Sequence, residues 1–158
     1  MADPPQFVDF TLTDRATLLT VMRSLQADQD GWINLAPSLA PEQVPDPPSA
    51  ITRIFGPRGP DIPFGTWVPG VGPAGRVPPT SIGLQHGAGA KAIWQLRDHG
   101  ILVPDTWKVL ADHGRRGIVI EVPAAVGPEP ALEWLVRAAV ALTAIPLPDD
   151  WRAAVHRR

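Results

Sequence analysis

The chain has 158 residues, which is enough for one domain with a sizeable core and too few for two full domains. Its 44% hydrophobic and 19% charged residues are typical of a globular chain rather than a wholly disordered one. The absence of cysteine excludes disulfides, thiolate nucleophiles and cysteine-ligated metal centres. A net charge of −2 gives no overall attraction to nucleic acid or to a membrane surface, and no apolar run is long enough for a transmembrane helix.

The first ten residues, MADPPQFVDF, carry two acids and no apolar core, so they do not form a signal peptide and a cytoplasmic location is expected. Arginine outnumbers lysine twelve to two, and there are 20 prolines. A GC-rich bacterial genome would impose this bias, so single arginines and prolines are weak functional evidence.

The N-terminal part predicts a loose segment, a helix and a short strand. Residues 1–9 are polar and proline-marked, and we expect them to be loose. Apolar residues share one helical face over 13–27, after a start that resembles a capping box at Thr11 and Asp14, with Thr13 as the competing cap. The residues from Trp32 to Leu35 follow a glycine turn and indicate a strand.

Residues 41–80 form a Pro/Gly-rich arm, with eleven prolines and six glycines in forty positions. This composition forbids a long regular element, although a short helix near 50–55 and a short strand near 64–68 are compatible with it. The arm also contains several large apolar side chains, so we expect it to be held against the core. It is a candidate lid or partner surface, and the alternative is an ordinary surface loop.

Residues 81–158 carry the clearest patterns. They predict a strand at 81–85, a helix at 88–99, a hairpin of 106–112 with 117–122 and a helix at 129–144. A last strand is predicted at 151–156, with one turn of helix as the alternative. The strand at 118–122 is apolar on most positions and should be central, and the helix at 129–144 has so thin a polar face that it should be buried in the core or against a second subunit. The predicted fold is a single α+β domain: a small, mainly antiparallel sheet, about three helices and the arm wrapped outside.

The turn before the 88–99 helix is a candidate anion site. Small residues there would leave backbone N–H groups free at the positive end of the helix dipole. The candidate ligand-binding residues at this turn are His86, Gly87, Gly89 and Lys91. The run matches neither a phosphate-binding P-loop nor a dinucleotide-binding fingerprint, so the alternative is a tight turn that needs glycine.

The hairpin turn adds Arg115 and Arg116 to this candidate site, because paired guanidiniums bind phosphate or carboxylate. The alternative is a solvated turn. The four histidines and their neighbouring aspartates have no spacing typical of catalysis or of metal binding, so no metal, no cofactor and no catalytic residue is predicted.

Six tryptophans are spread along the chain. Trp94 and Trp134 lie on predicted helices and are expected in the core. Trp67, in the arm, is the candidate for exposure to a partner or ligand, with simple anchoring as the alternative.

These patterns lead to two hypotheses on function. The first is a non-enzymatic cytoplasmic binding or protein-interaction module that acts through the arm, with self-association through the 129–144 helix. The alternative is a protein or enzyme that binds a small anionic or phosphorylated ligand at the helix start and the arginine pair. Neither nucleic acid nor a membrane is expected as a partner.

Overall fold

A computed structural model describes residues 3–44, 59–73 and 75–158. The strands run, in chain order, as β1 Gln6–Thr11, β2 Trp32–Pro37, β3 Phe64–Val68, β4 Thr80–Gln85, β5 Lys108–His113, β6 Gly117–Val122 and β7 Asp150–His156. The helices are α1 Ala16–Asp28, α2 Ala92–Asp98 and α3 Pro128–Leu142, with a short 3-10 helix at Pro41–Gln43. The α+β prediction is therefore confirmed. The helix expected near 50–55 lies outside the described residues.

Within these residues the strands form one seven-stranded antiparallel sheet in the order β1-β7-β2-β3-β4-β6-β5. The last strand of the chain lies between the first two, so both ends of the chain are tied into the same half of the sheet. The hairpin of β5 and β6 forms the other end, with a bulge between Val109 and Ala111.

The core lies between one face of the sheet and the helices. Helix α3 contacts both other helices, and all three contact the sheet, α1 at β1, α3 at β3 and β4, and α2 at β5. Alternate strand residues are buried, as in Ile33 and Leu35 of β2 and Trp151, Ala153 and Val155 of β7. This period of two is the pattern of a sheet with one packed face, and the other face carries no helix among the described residues.

Two N-terminal predictions are wrong. Residues 6–9, part of the segment expected to be loose, belong to β1, because Val8 and Phe10 enter the core and every residue of the strand pairs with β7. The helix begins at Ala16 rather than near 13. The Thr11 hydroxyl does accept the Asp14 N–H at 2.9 Å, but this closes a turn ahead of the helix.

Two predictions in the C-terminal half are corrected as well. The helix expected from residue 88 begins only at Ala92, because Gly89 has φ +82° and Lys91 has φ +60°, which no helix accommodates. The strand expected to be central, β6, lies next to the edge strand β5, and it buries mainly one face.

The apolar helix α3 is buried within its own chain. Nine of its fifteen residues are buried, including Leu132, Leu135 and Leu142. The sequence left open whether the core or a second subunit covers this helix. The sheet and the other helices of the same chain cover it. Among the described residues no helix is both long and apolar enough to cross a membrane.

Candidate functional site

The helix start predicted to bind an anion is capped by the chain itself. The carboxylate of Asp112, on β5, accepts hydrogen bonds from the backbone N–H groups of Ala92 at 3.1 Å and Ile93 at 3.0 Å. The first N–H groups of the helix as folded therefore already have a partner, whereas the donors expected from the sequence were those of residues 87–90. Lys91 is exposed beside them.

His86 is buried rather than presented to a ligand. Its side chain is 1% exposed, and Nδ1 accepts the Ala88 N–H at 3.1 Å. Burial lowers the pKa of His86, against a smaller opposing effect of Asp112. Its Nε2 has no hydrogen-bond partner among the described residues. The imidazole is therefore neutral near pH 7 and adds no positive charge to the turn.

The two glycines of this turn have structural reasons to be glycine. Gly89 has φ +82°, which other residues rarely adopt. A Cβ at Gly87 would lie 3.0 Å from the carbonyl oxygen of Pro60, so the close approach of that segment favours glycine.

Arg115 and Arg116 lie at the tip of the β5–β6 hairpin, where His113 closes the turn. His113 Nδ1 accepts the N–H groups of Arg115 at 3.1 Å and Arg116 at 3.2 Å. The backbones of His86 and Arg115 both lie against Gly59, so the fold does bring the turn and the hairpin close together. Both described cavities are lined by other residues. The anion site stays a prediction.

Trp134 is buried as expected, whereas Trp94 and Trp67 have environments opposite to those favoured by the sequence. Trp67, the candidate for exposure, is 1% exposed and lies on the helix-covered face of β3. Trp94, expected in the core, is 66% exposed, and the Arg97 guanidinium lies 5.3 Å from the centre of its ring. The anchoring alternative therefore holds for Trp67. Trp94 lies opposite the buried residues Ala92 and Leu96 of its helix.

Histidine and acidic side chains do not converge on a metal. In the part of the chain that the structure describes, no group of three or more of them is placed to hold an ion. Asp112 caps a helix and His113 closes a turn, so two members of the set have structural roles.

The face of the sheet opposite the helices, which we call the open face, is a second candidate surface, and the sequence did not indicate it. Its central row contains small or uncharged residues that pair across adjacent strands: Ala154, Asn34, Thr66, Gly83 and Val119. These residues are half-buried by their neighbours and reachable from solvent.

A polar chain crosses three strands of the open face. Asn34 Nδ2 lies 3.3 Å from His156 Nε2, and the Thr66 hydroxyl donates to Asn34 Oδ1 at 3.1 Å. The ring of Trp32 stacks on His156 with centroids 4.7 Å apart and planes 7° from parallel. These contacts hold the polar side chains of the open face in fixed positions. No spacing in the sequence signals them, because Asn34 and His156 are 122 residues apart.

Charged residues on the open face lie toward its two edges, and most of them face an opposite charge, whereas Asp150 lies opposite Thr11. Arg152 Nε donates to Asp9 Oδ1 at 2.8 Å, and this hydrogen bond lowers the pKa of Asp9 below its ordinary value. The same guanidinium lies 5.6 Å from the centre of the Phe7 ring, and Phe7 is 60% exposed. At the other edge, Lys108 lies opposite Glu121. The open face therefore has an uncharged centre and a rim that carries charges of both signs.

Comparison with known proteins finds no matching family model, no matching curated protein and no matching solved structure.

Proposed function

We propose that this protein is a non-catalytic interaction module, and that its open face binds the open face of a second copy of the chain. The observation that carries the proposal is the arrangement of that face, with an uncharged centre and charges confined to the rim. Depletion of charge at the centre and enrichment of exposed aromatic rings are the composition of interface cores. Phe7 and Phe64 are the exposed rings, at 60% and 39%.

The charge balance favours a second copy over a strongly charged partner. Asp9 faces Arg152 and Lys108 faces Glu121, and the exposed Asp150 adds one further carboxylate, so the rim carries both signs and little net charge. In a two-fold dimer the same patch meets itself, so a patch with a large net charge would repel its copy, and one with little net charge does so only weakly.

The area of the open face fits a weak dimer. Seven strands spaced about 4.8 Å apart and about 17–20 Å long cover roughly 500–600 Å². Two such faces bury roughly 1,000–1,200 Å² in total, at the low end of specific interfaces and in the range of transient contacts. A cytoplasmic location for this association stays a prediction.

Sedimentation equilibrium over a concentration series tests the proposal. We expect the apparent mass to rise from 17.0 kDa toward twice that value. Thr66→Arg, at the centre of the open face, and Phe7→Ser, at its edge, should each shift the rise to higher concentration. The matched control is Thr20→Arg, which places the same side chain at an exposed position of α1. A monomeric mass at every concentration, or equal association of Thr66→Arg and the control, would overturn the proposal.

A further inference from the structure

A groove on the helix side of the molecule has the size of a small-molecule site. It has a volume of about 440 Å³ and lies where the C-terminal half of α3 meets the turn after α2 and the segment before α1. Ligand pockets in proteins are typically about 300–1,000 Å³. Its apolar lining consists of Leu12, Ile101, Val136, Val140 and Ala141.

Every ionisable side chain that lines this groove is basic: Arg15, His99 and Arg137. Arg15 is already engaged, because its guanidinium pairs with Glu133 and also donates to the Leu12 carbonyl oxygen at 2.9 and 2.7 Å. Arg137 is exposed and makes no hydrogen bond or ion pair within the described ranges. The groove therefore offers one uncommitted guanidinium beside an apolar floor.

We infer that this groove binds a single-chain amphiphile with an anionic headgroup, such as a medium-chain carboxylate. The aliphatic chain would lie on the floor formed by Val136 and Val140, and the headgroup would accept hydrogen bonds from Arg137. A guanidinium matches the two oxygens of a carboxylate, and charge-assisted hydrogen bonds of this kind are about twice as strong as neutral ones.

The shape of the groove favours a flexible chain over a helical peptide. Its lining residues on α3 run from 136 to 141, which spans about 7.5 Å at 1.5 Å per residue. A rigid amphipathic helix lying along α3 needs anchors at i, i+4 and i+7, which span about 10.5 Å, whereas an aliphatic chain can cross from Val140 toward Ile101 and Leu12, which line the same groove. The charge of the groove also selects against a cationic amphiphile of the same chain length. This inference is independent of the association through the open face.

Binding of decanoate, below the concentration at which it forms micelles, tests the inference by calorimetry and by backbone amide NMR. We expect saturable binding, with shifts at Ile101, Val136 and Ala141. Decyltrimethylammonium, which has a similar chain and the opposite charge, should bind at least tenfold more weakly.

Two variants separate the headgroup from the chain. Arg137→Gln should weaken decanoate binding about tenfold, which is the effect of losing one charge-assisted hydrogen bond. Val140→Asp should abolish binding, and because Val140 is 43% exposed the fold should survive the change, as circular dichroism can verify. Arg23→Gln, on the neighbouring helix α1, is the matched control and should bind decanoate normally.

Three results would overturn the inference. They are no saturable binding of decanoate, equal affinity for the carboxylate and the ammonium, and unchanged affinity in both groove variants. Binding of a peptide rich in glutamate and leucine without any binding of decanoate would also overturn it, in favour of a polypeptide ligand.

Discussion

Asp112 on the edge strand β5 caps helix α2 from a distance of twenty residues in the sequence, through its two carboxylate oxygens and the N–H groups of Ala92 and Ile93. The helix has no cap from its own flanking residue, because Lys91 at that position makes no side-chain hydrogen bond. The cap thus joins the β5–β6 hairpin to the helical layer. It also places a negative charge where the sequence alone suggested a site for an external anion.

Substitution of Asp112 tests this role. Asp112→Ala should lower the free energy of unfolding by about 1 kcal/mol, within the range of about 0.5–2 kcal/mol known for helix caps, and Asp112→Asn should lower it less because an amide oxygen also caps. Denaturant unfolding measures both. Asp105→Ala, at an exposed turn position, serves as the control and should change little.

The same variant tests whether the helix start as folded can bind an anion. When the carboxylate is removed, the N–H groups of Ala92 and Ile93 lose their partner, and sulfate should then stabilise Asp112→Ala more than the wild-type protein. Equal stabilisation of both proteins by sulfate would show that the two donors do not bind an anion. A loss of stability no larger than that of the control would contradict the capping role.

Two tryptophans with opposite environments supply a second prediction. Trp67→Ala should lower the free energy of unfolding by about 3–5 kcal/mol, because it empties a fully buried site. Trp94→Ala should change it by less than about 0.5 kcal/mol, because the ring is 66% exposed. Denaturant unfolding measures the loss of unfolding free energy in both variants, which remove the same side chain. Similar losses of stability in both variants would contradict either the burial of Trp67 or the exposure of Trp94.

The pattern around these tryptophans shows what the sequence could have predicted. Trp94 lies two residues from both Ala92 and Leu96, and two residues on a helix are about 200° apart, so burial of those two residues implies an exposed Trp94. In β3 the buried positions are Gly65 and Trp67, whereas the apolar Phe64 is exposed, so the sequence itself carries no period of two there. The exposure of Trp94 could therefore be predicted from local periodicity, and the burial of Trp67 depends on how β3 pairs in the sheet.

The N-terminal strand β1 also carries a local pattern in the sequence. Phe7 and Asp9 alternate with Val8 and Phe10, which is the pattern of a half-buried strand, although prolines precede it. The corresponding pattern at the other end of the chain, with Trp151, Ala153 and Val155 on one face, correctly predicted β7. Once both strands are recognised, their pairing still requires tertiary information.

The sequence alone could not predict the open face or the basic groove. The open face depends on strand order, which places Asn34 of β2 between Ala154 of β7 and Thr66 of β3. The basic groove depends on how α3 meets the turn at Ile101. In contrast, the apolar helix α3 was predicted within two residues at each end, because a continuous apolar pattern bounded by prolines is a local signal.

The buried imidazole of His86 predicts how stability depends on pH. Burial lowers its pKa in the folded protein below the ordinary value of 6.5, so the unfolded chain takes up this proton more readily than the folded one. The stability is therefore complete above about pH 6.5 and is lost as the pH falls from there toward the folded pKa. The slope that this one group adds is limited to about 1.4 kcal/mol per pH unit.

Replacement of the ring isolates this contribution. In His86→Asn the curve of unfolding free energy against pH should become flatter between pH 7 and pH 5, whatever the absolute stability of the variant. His99→Asn is the control, since His99 is exposed and its replacement removes no buried imidazole. Urea unfolding at several pH values gives the three curves. If His86→Asn retains the wild-type slope over this range, the proton is not excluded from the folded state at His86, and the assignment of a neutral buried imidazole fails.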